Sequence, residues 1–218
     1  MFWFATPVIS IVILLGLFST DAVSLTERAR IAHGIDALRR LKTLQVVSRR
    51  VTTRADGQVV DLGVEVMDYD FVVGRVRLKQ LRQSRIEQIV RWDGSQLLSW
   101  QLGDVERGFP TLLTRTASLT GPFFLRDLET EHDCTNWLLI TCTLELPRQN
   151  TRIQFQLTES GLIKEQFIQV DGEALGIQFE SYRKIAGIQL AHRSLYTFGG
   201  INHESHVIRI AIDLPWAD

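Results

Sequence analysis

Residues 157–200 have the sequence LTESGLIKEQFIQVDGEALGIQFESYRKIAGIQLAHRSLYTFGG. Apolar and polar side chains alternate here over residues 168–170, 175–182 and 188–198, which is the period of a strand with one buried face. Glu159-Ser160-Gly161 and Asp171-Gly172 are turn signals between these runs. The stretch therefore predicts consecutive antiparallel strands joined by tight turns.

The same period of two continues on both sides of this stretch. Upstream it predicts a meander of five strands over residues 44–54, 60–66, 75–79, 85–92 and 96–102, the last two flanking the hairpin dipeptide Asp93-Gly94. Further strands are predicted over residues 138–146, 153–157 and 207–214. About ten strands in one sheet are enough that the sheet has to curl or close.

A first helix is predicted from residue 25 to about residue 41, before the first strand. Ile31, Ile35 and Leu38 form an apolar stripe at helical spacing, which needs a sheet to cover. A glycine in a helix interior, such as Gly34, lowers the stability of the helix by about 1 kcal/mol relative to alanine. We therefore expect either close packing or a break in the helix at His33-Gly34.

A second, shorter helix is predicted within residues 109–128 and ends at Gly121-Pro122. We expect it to lie across the opening of the sheet, with residues 123–125 packing inward. The chain is 45% hydrophobic and has no internal repeat or long linker, which suits one folded domain. The expected fold class is α+β, mainly antiparallel β.

The N-terminus predicts export from the cytoplasm. No charged side chain precedes Asp21, so residues 1–22 are interpreted as a signal peptide or an N-terminal anchor, and residues 23–218 as the domain. Cleavage after Ala22 keeps the capping-box spacing of Ser24 and Glu27, whereas cleavage after Ser24 removes it. We expect a periplasmic or secreted protein; the alternative is a protein that contacts the membrane through an uncleaved anchor at residues 1–20.

The balance of charge in the chain argues against one class of partner. With 24 basic and 25 acidic side chains the chain lacks the dense positive charge that nucleic acid binding requires, so we expect no nucleic acid partner.

Cys134 and Cys142 are the only cysteines, and an oxidising compartment favours a disulfide between them. On one extended strand they would lie far beyond the roughly 7 Å limit for bridged Cα atoms, so a bridge requires the chain to fold back at Cys134. Both outcomes stay open.

Sequence motifs for catalysis are weak, so we expect a protein that is not an enzyme and that needs no cofactor. The patch His203–His206 has two histidines that point apart in a strand, and we expect no metal site there. No G-x-S-x-G sequence occurs, and the acidic residues Glu129, Glu131 and Asp133 are typical of a solvated loop. A hydrolase is the weakest of the alternatives considered.

Three segments resemble exported proteins of the lipoprotein-carrier superfamily, the LolA/LolB-like fold. They are ARIAHGIDALRRLKTLQVVSR at residues 29–49, RIEQIVRWDGSQLLSW at residues 85–100, and residues 157–200 with their Tyr-Arg-x-x-x-Gly-Ile motif. Relatives often have a second glycine at the position of Ile35 and a proline near His192, so the likeness is to the general class. The resemblance implies an open half-barrel of about ten or eleven antiparallel strands, with helices plugging the concave face and acyl chains or other apolar ligands bound inside.

The residue patterns alone indicate a function that agrees with the one implied by this resemblance. A curled sheet with one apolar face and few helices leaves an apolar concavity, so we expect a carrier or binding protein for lipid or lipoprotein acyl chains. The alternative is an envelope protein-interaction or stress-sensor domain that binds a peptide or protein partner. The candidate ligand-binding residues are Val60, Leu62, Val64, Val76, Leu78, Trp100, Leu138, Ile140, Phe155 and Phe179.

Three arginines are candidates for contact with a ligand head group at the rim of the half-barrel. Arg75, Arg77 and Arg91 lie on predicted strands, where a guanidinium group can bind a carboxylate or a phosphate. Exposed arginines on the solvent face of a strand are the commoner case.

Overall fold

The structure is a computed structural model, and it describes residues 24–83, 85–93, 97–101, 108–127, 141–146 and 151–216. Eleven strands form one antiparallel sheet with the order β5-β4-β3-β2-β1-β11-β10-β9-β8-β7-β6. The strands are β1 (Thr43–Thr53), β2 (Val59–Asp70), β3 (Arg75–Arg82), β4 (Arg85–Trp92), β5 (Leu97–Gln101), β6 (Thr141–Leu146), β7 (Thr151–Leu157), β8 (Ile163–Val170), β9 (Glu173–Ile185), β10 (Ile188–Phe198) and β11 (Ile201–Ile212).

The sheet is an open half-barrel, as the family resemblance implied. Its edge strands are β5 and β6, and the first and last strands, β1 and β11, pair in the middle of the sheet. Each half is a simple meander, so the predicted five-strand meander β1–β5 is confirmed. Helices pack on one face, with α1 (Leu25–His33) and α2 (Ile35–Arg39) against β10, and α3 (Gly108–Thr116) against β3, β4 and β9.

The first helix is two helices rather than one, because the chain breaks at Gly34. Gly34 has φ 68°, in the left-handed region, and a Cβ added there would lie 2.1 Å from the backbone oxygen of Gly187. Both expectations for this position, close packing and a break, are therefore met. The break also rotates the helical faces, so that Ile31 is 68% exposed instead of lying on the apolar stripe with Ile35 and Leu38.

His33 fixes the end of α1 to the sheet. The backbone N–H of Ile163 donates to His33 Nε2 at 3.0 Å, so the ring proton sits on Nδ1, which donates to the carbonyl oxygen of Gln189 at 3.0 Å. The ring meets Tyr182 edge-on at a centroid distance of 5.3 Å. Burial lowers the pKa of His33 to about 4, so the imidazole is neutral and joins α1 to β8 and β10. Ser24 caps the other end of α1, accepting from the N–H of Glu27 at 3.1 Å.

The second predicted helix is a short helical plug over residues 108–127. It consists of α3, a 3₁₀ turn (Ala117–Leu119) and α4 (Phe123–Asp127), so Gly121-Pro122 separates two helices rather than ending one. The side chain of Gln166 on β8 holds this junction: its Oε1 accepts from Gly121 N–H and its Nε2 donates to the Leu119 carbonyl, both at 2.7 Å. Phe123–Leu125 pack inward, as predicted.

The hydrophobic core lies between the concave face of the sheet and the helices. Its largest fully buried side chains come from both layers and include Ile35, Leu38, Leu78, Leu112, Leu125, Ile153 and Phe155. Among the described residues, no helix combines the length and apolar character needed to cross a bilayer. The predicted leader, residues 1–22, lies outside the described residues.

Candidate functional site

A cavity of about 80 Å³ remains between the middle of the concave face and the helical plug. We call it the central cavity. Its aromatic wall consists of Tyr69, Phe123, Phe179, Tyr182 and Tyr196. The ring of Phe123, on α4, lies 4.8 Å from that of Tyr69, on β2, so the plug forms one side of the cavity and the sheet the other.

A strip of hydroxyl groups crosses the floor of the central cavity. Ser48, Ser205 and Ser194 lie on β1, β11 and β10, three adjacent strands, and Ser194 and Ser205 are direct cross-strand partners. Burial raises the pKa of Tyr196 to about 12, and burial also raises the pKa of Tyr69. These hydroxyls therefore stay protonated at neutral pH, and the described lining is uncharged. Such a cavity suits an apolar group with few polar atoms.

Next to the serines, the same face carries a polar cluster made of four buried residues, Arg50, Glu65, Gln80 and Gln88, and of Asp61, which is half-buried. Arg50 forms an ion pair with Asp61, and its Nη1 lies 3.5 Å from Glu65 Oε1. Gln80 donates to Glu65 Oε1 at 2.7 Å, and Gln88 donates to Gln80 Oε1. Burial raises the pKa of Glu65, and the positive charge of Arg50 opposes that shift. The concave face is thus apolar at one end and polar at the other.

His203 and His206 lie on opposite faces of β11, as the strand period predicts. His203 Nδ1 is 3.2 Å from Thr52 Oγ1 at the polar cluster, whereas His206 Nε2 is 2.7 Å from Glu204 Oε1 on the outer face. Burial is the main cause that lowers the pKa of His203 to about 4, and Arg50 adds to it. In the part of the chain that the structure describes, no group of three or more His, Cys, Asp or Glu side chains is arranged to hold a metal ion.

The predicted ligand-binding residues fall into three groups. Phe179 lines the central cavity, and Val76, Leu78 and Phe155 are buried on the concave face. Trp100 lies on β5 but its side chain, like residues Leu138 and Ile140, lies outside what the structure describes. A third group, Val60, Leu62 and Val64, does not line the cavity.

The placement of Leu62 and Val64 is a correction to the sequence interpretation. Strand β2 alternates, and the positions that face the core are those of Met67 and Tyr69, so Leu62 and Val64 point to the outer face and Leu62 is 59% exposed. Val60 lies at an irregularity in the pairing of β2 with β1 and is 36% exposed. Both faces of β2 carry apolar residues, and the contact of Tyr69 with Phe123 decides which face is inside.

The three candidate arginines lie in two different environments. Arg77 is buried: its Nη2 lies 2.8 Å from Asp68 Oδ2, and its guanidinium carbon lies 4.8 Å from the ring centroid of Trp216. Arg75 and Arg91 instead line a second cavity, of about 400 Å³, which we call the rim cavity. The rest of its described lining is Val76, Trp92, Leu98 and Trp216. Only a folded chain brings Trp216 to these strands, so sequence patterns gave no sign of this cavity.

Several other predictions cannot be placed. The cysteine pair is one of them, because Cys134 lies outside the described residues and no contact of the Cys142 side chain, on β6, is described. The acidic residues Glu129, Glu131 and Asp133 also lie outside. The disulfide and the loop assignment therefore stay predictions.

An open antiparallel sheet curved around helices on its concave face defines the class of this protein as a helix-plugged half-barrel. Solved structures have the same architecture. A LolA superfamily protein from Nitrosomonas europaea superposes with a TM-score of 0.54 at 14% identity, covering 89% of this chain and 96% of that chain. The chain therefore has a LolA-like fold, as its resemblance to that superfamily implied.

Two further solved structures align over 89% of this chain with lower scores. One is a DUF1329 family protein from Desulfovibrio piger, with a TM-score of 0.44, 10% identity and 95% of its chain covered. The other is an outer-membrane lipoprotein-sorting protein domain from Vibrio parahaemolyticus, with a TM-score of 0.38, 12% identity and 94% covered. In sequence, no protein-family model matches the chain and no curated protein matches it.

Proposed function

We propose that this protein is an exported, non-enzymatic binding protein that holds the apolar part of a lipid, or the acyl chain of a lipoprotein, in the central cavity. The observation that carries the proposal is the chemistry of the lining, where an aromatic wall faces a strip of serine hydroxyls and the described residues bring no charge. A carrier needs apolar walls for an alkyl chain and a few polar atoms to orient it.

The wall of the central cavity also favours binding over catalysis. General acid–base chemistry needs groups that titrate near the working pH. The tyrosines here have raised pKa values because they are buried, so they neither accept nor release a proton near neutrality. The described serines have no imidazole or carboxylate beside them in the lining.

The size of the central cavity sets a condition on how a ligand enters. About 80 Å³ is well below the roughly 300–1,000 Å³ of sites that enclose a drug-sized ligand. A long acyl chain therefore requires the helical plug, residues 108–127, to shift away from the sheet. Binding would then break some of the polar contacts that join this segment to the rest of the chain, such as the Gln166 amide contacts, the ion pair of Arg115 with Asp171 and the hydrogen bond from Arg126 to the Phe71 carbonyl.

The compartment follows from the apolar N-terminus and is part of the same proposal. Residues 1–20 carry no charged side chain, which fits export through the cytoplasmic membrane. In the cell envelope, a lipid carrier shields alkyl chains from water between membranes. The protein would then have lipid as its main partner and, in the alternative, an envelope protein.

The experiment compares two alanine-to-leucine variants. Ala191→Leu adds a side chain inside the central cavity, whereas Ala211→Leu adds the same atoms on the outer face of β11, opposite Gln45. We expect lipid to co-purify with the wild type and with Ala211→Leu, and to be lost from Ala191→Leu, as measured by mass spectrometry of organic extracts. Circular dichroism checks that all three are folded. Lipid bound equally by both variants, or a wild type that captures a protein partner and no lipid, would contradict the proposal.

A further inference from the structure

We propose that a cavity in the outer face of the sheet, on the side opposite the central cavity, binds a neutral saccharide. This cavity has a volume of about 300 Å³ and lies across β7, β8, β9 and β10. We call it the outer cavity. The inference does not depend on the proposed function, because the two cavities lie on opposite faces of one sheet and share none of their described lining residues.

The side chains that line the outer cavity form two cross-strand rows. One row is Gln154-Phe167-Gly176-Thr197 and the other is Gln156-Glu165-Gln178-Leu195. Both rows point outward, because the residues that alternate with them, such as Phe155 and Ile177, are buried on the concave face. Phe155, Gln166 and Ile177 also line the outer cavity, so its floor is the backbone of these strands.

Gly176 leaves an open space in the middle of the outer cavity. It lies in the interior of β9, has no positive φ, and sits where the pairing with β8 and β10 is regular. A Cβ added there would meet nothing within 4 Å. Glycine weakens the interior of a strand and often marks a place where a ligand approaches the backbone closely. Backbone conformation and packing give no reason for a glycine here, whereas access of a ligand to the sheet does.

Phe167 provides an aromatic surface next to this space. It is the cross-strand partner of Gly176 on β8 and is 42% exposed. Its ring does not cover the glycine, since no side-chain atom comes within 4 Å of a Cβ built on Gly176. The face of an aromatic ring packs against C–H groups, and one face of a pyranose ring consists of them. The ring and the open space beside it therefore suit a sugar ring.

Three glutamine side chains bring amide groups to the same cavity. Gln154 has one long contact, of 3.4 Å from its Nε2 to Thr143 Oγ1. Among the described residues, Gln156 and Gln178 make no side-chain hydrogen bond. An amide donates and accepts at once, as a hydroxyl group does, so these side chains match a ligand that carries many hydroxyl groups.

The charge of the outer cavity argues against an anionic ligand. Glu165 is the one ionisable side chain in the described lining, and its Oε1 lies 3.9 Å from Nζ of the exposed Lys164. A carboxylate accepts hydrogen bonds from hydroxyl groups and repels a phosphate or a second carboxylate. A peptide strand would instead bind at a sheet edge, through backbone groups, and β7–β10 are all interior strands. A neutral saccharide fits these conditions.

The test titrates nitrogen-15-labelled protein with two neutral trisaccharides, maltotriose and triacetylchitotriose, and follows the amide signals by NMR. We expect at least one of them to bind with a millimolar or lower Kd and to shift the side-chain amide signals of Gln154, Gln156 and Gln178. Trigalacturonate, an acidic trisaccharide, and N-acetyl-trialanine amide, a short peptide, should each bind at least tenfold more weakly.

Two pairs of variants locate the binding. Gly176→Val fills the open space with a residue suited to a strand and should lower the sugar affinity at least tenfold, whereas Ala174→Val, on the same face of β9 outside the lining, should not change it. Gln178→Leu, at an exposed position that the fold tolerates, should lower the affinity about tenfold, and Gln169→Leu outside the lining should not. Circular dichroism checks that each variant is folded.

Three results would overturn this inference. They are binding of neither neutral sugar, equal binding of trigalacturonate or of the peptide, and unchanged sugar affinity in Gly176→Val and Gln178→Leu. The lipid content of Ala191→Leu tests only the proposed function, because Ala191 lines the central cavity and not the outer one. Failure of one proposal is therefore distinguishable from failure of the other.

Discussion

At the scale of single residues, Gly34 combines two requirements that no other amino acid meets. Its φ of 68° lies in the left-handed region, and its Cα hydrogens face the carbonyl oxygen of Gly187. Gly172 has the first requirement without the second, since its φ is 86° and a Cβ there would meet nothing within 4 Å. The two positions therefore separate the cost of backbone conformation from the cost of close approach.

We predict that Gly34→Ala lowers the free energy of unfolding by at least about 3 kcal/mol, and that Gly172→Ala lowers it by about 1 kcal/mol. The smaller value is the cost of placing a Cβ in the left-handed region. The larger value adds the displacement of α1 from the β9–β10 turn, because a contact of 2.1 Å to a backbone oxygen cannot be relieved by a side-chain rotation. Urea denaturation measures both. Equal losses in the two variants would show that close approach has no energetic role.

The sequence showed the position of Gly34 but not its neighbour. Glycine inside a helical pattern indicated a break or close packing at His33-Gly34, and both occur there. The polar cluster was missed because Arg50, Glu65, Gln80 and Gln88 occupy alternate positions of strands, which is also where solvent-facing residues stand. Deciding which face of a strand is inside requires the contacts across the fold, such as that of Tyr69 with Phe123.

At the scale of elements, a buried amide on β8, that of Gln166, joins the helical plug to the sheet. The Gln166 side chain satisfies a donor and an acceptor at the turn between the 3₁₀ turn and α4. A residue without hydrogen-bonding groups at this position leaves the Gly121 N–H and the Leu119 carbonyl unpaired in a buried site, which costs about 1–3 kcal/mol for each group. The plug should therefore loosen before the sheet does.

We predict that Gln166→Leu lowers the free energy of unfolding by about 3 kcal/mol and increases amide hydrogen exchange in residues 108–127. Gln169→Leu is the matched control: Gln169 lies on the same strand but is exposed, so the expected change is within about 0.5 kcal/mol. Urea denaturation and hydrogen-exchange mass spectrometry measure the two quantities. Exchange that rises evenly over the whole sheet, rather than in the plug, would contradict this prediction.

At the scale of the whole molecule, the concave face holds three environments in one curved layer. A packed core lies under α1 and α2, the central cavity lies under the plug, and the polar cluster extends the same face along β1–β4. The strands and the meander β1–β5 were predictable, because alternation and turn residues are local, and the open half-barrel was implied by the family resemblance. The division of the concave face was not, since it depends on β1 pairing with β11 across the full length of the chain.

Acid sensitivity is a property of the whole molecule, because neutral histidines join its layers. Burial lowers the pKa of His33 to about 4 in the folded state, against an ordinary value of 6.5 in the unfolded chain. Between these two pKa values the unfolded state binds more protons than the folded state. The stability that neutral His33 contributes is therefore fully present above about pH 6.5 and is lost as the pH drops towards 4. The difference corresponds to about 3 kcal/mol. His203 acts in the same direction, and the raised pKa of Glu65 acts in the opposite direction.

We therefore predict that the free energy of unfolding is lower at pH 4.5 than at pH 7, and that His33→Gln reduces this dependence on pH while lowering stability at pH 7. Glutamine keeps a donor and an acceptor but does not titrate. The decrease in unfolding free energy at pH 7 therefore measures how well the imidazole ring fits its site. The decrease in pH dependence measures the contribution of imidazole protonation. Urea denaturation of both proteins at the two pH values gives the comparison. An unchanged difference between pH 7 and pH 4.5 in His33→Gln would assign the acid sensitivity to other groups.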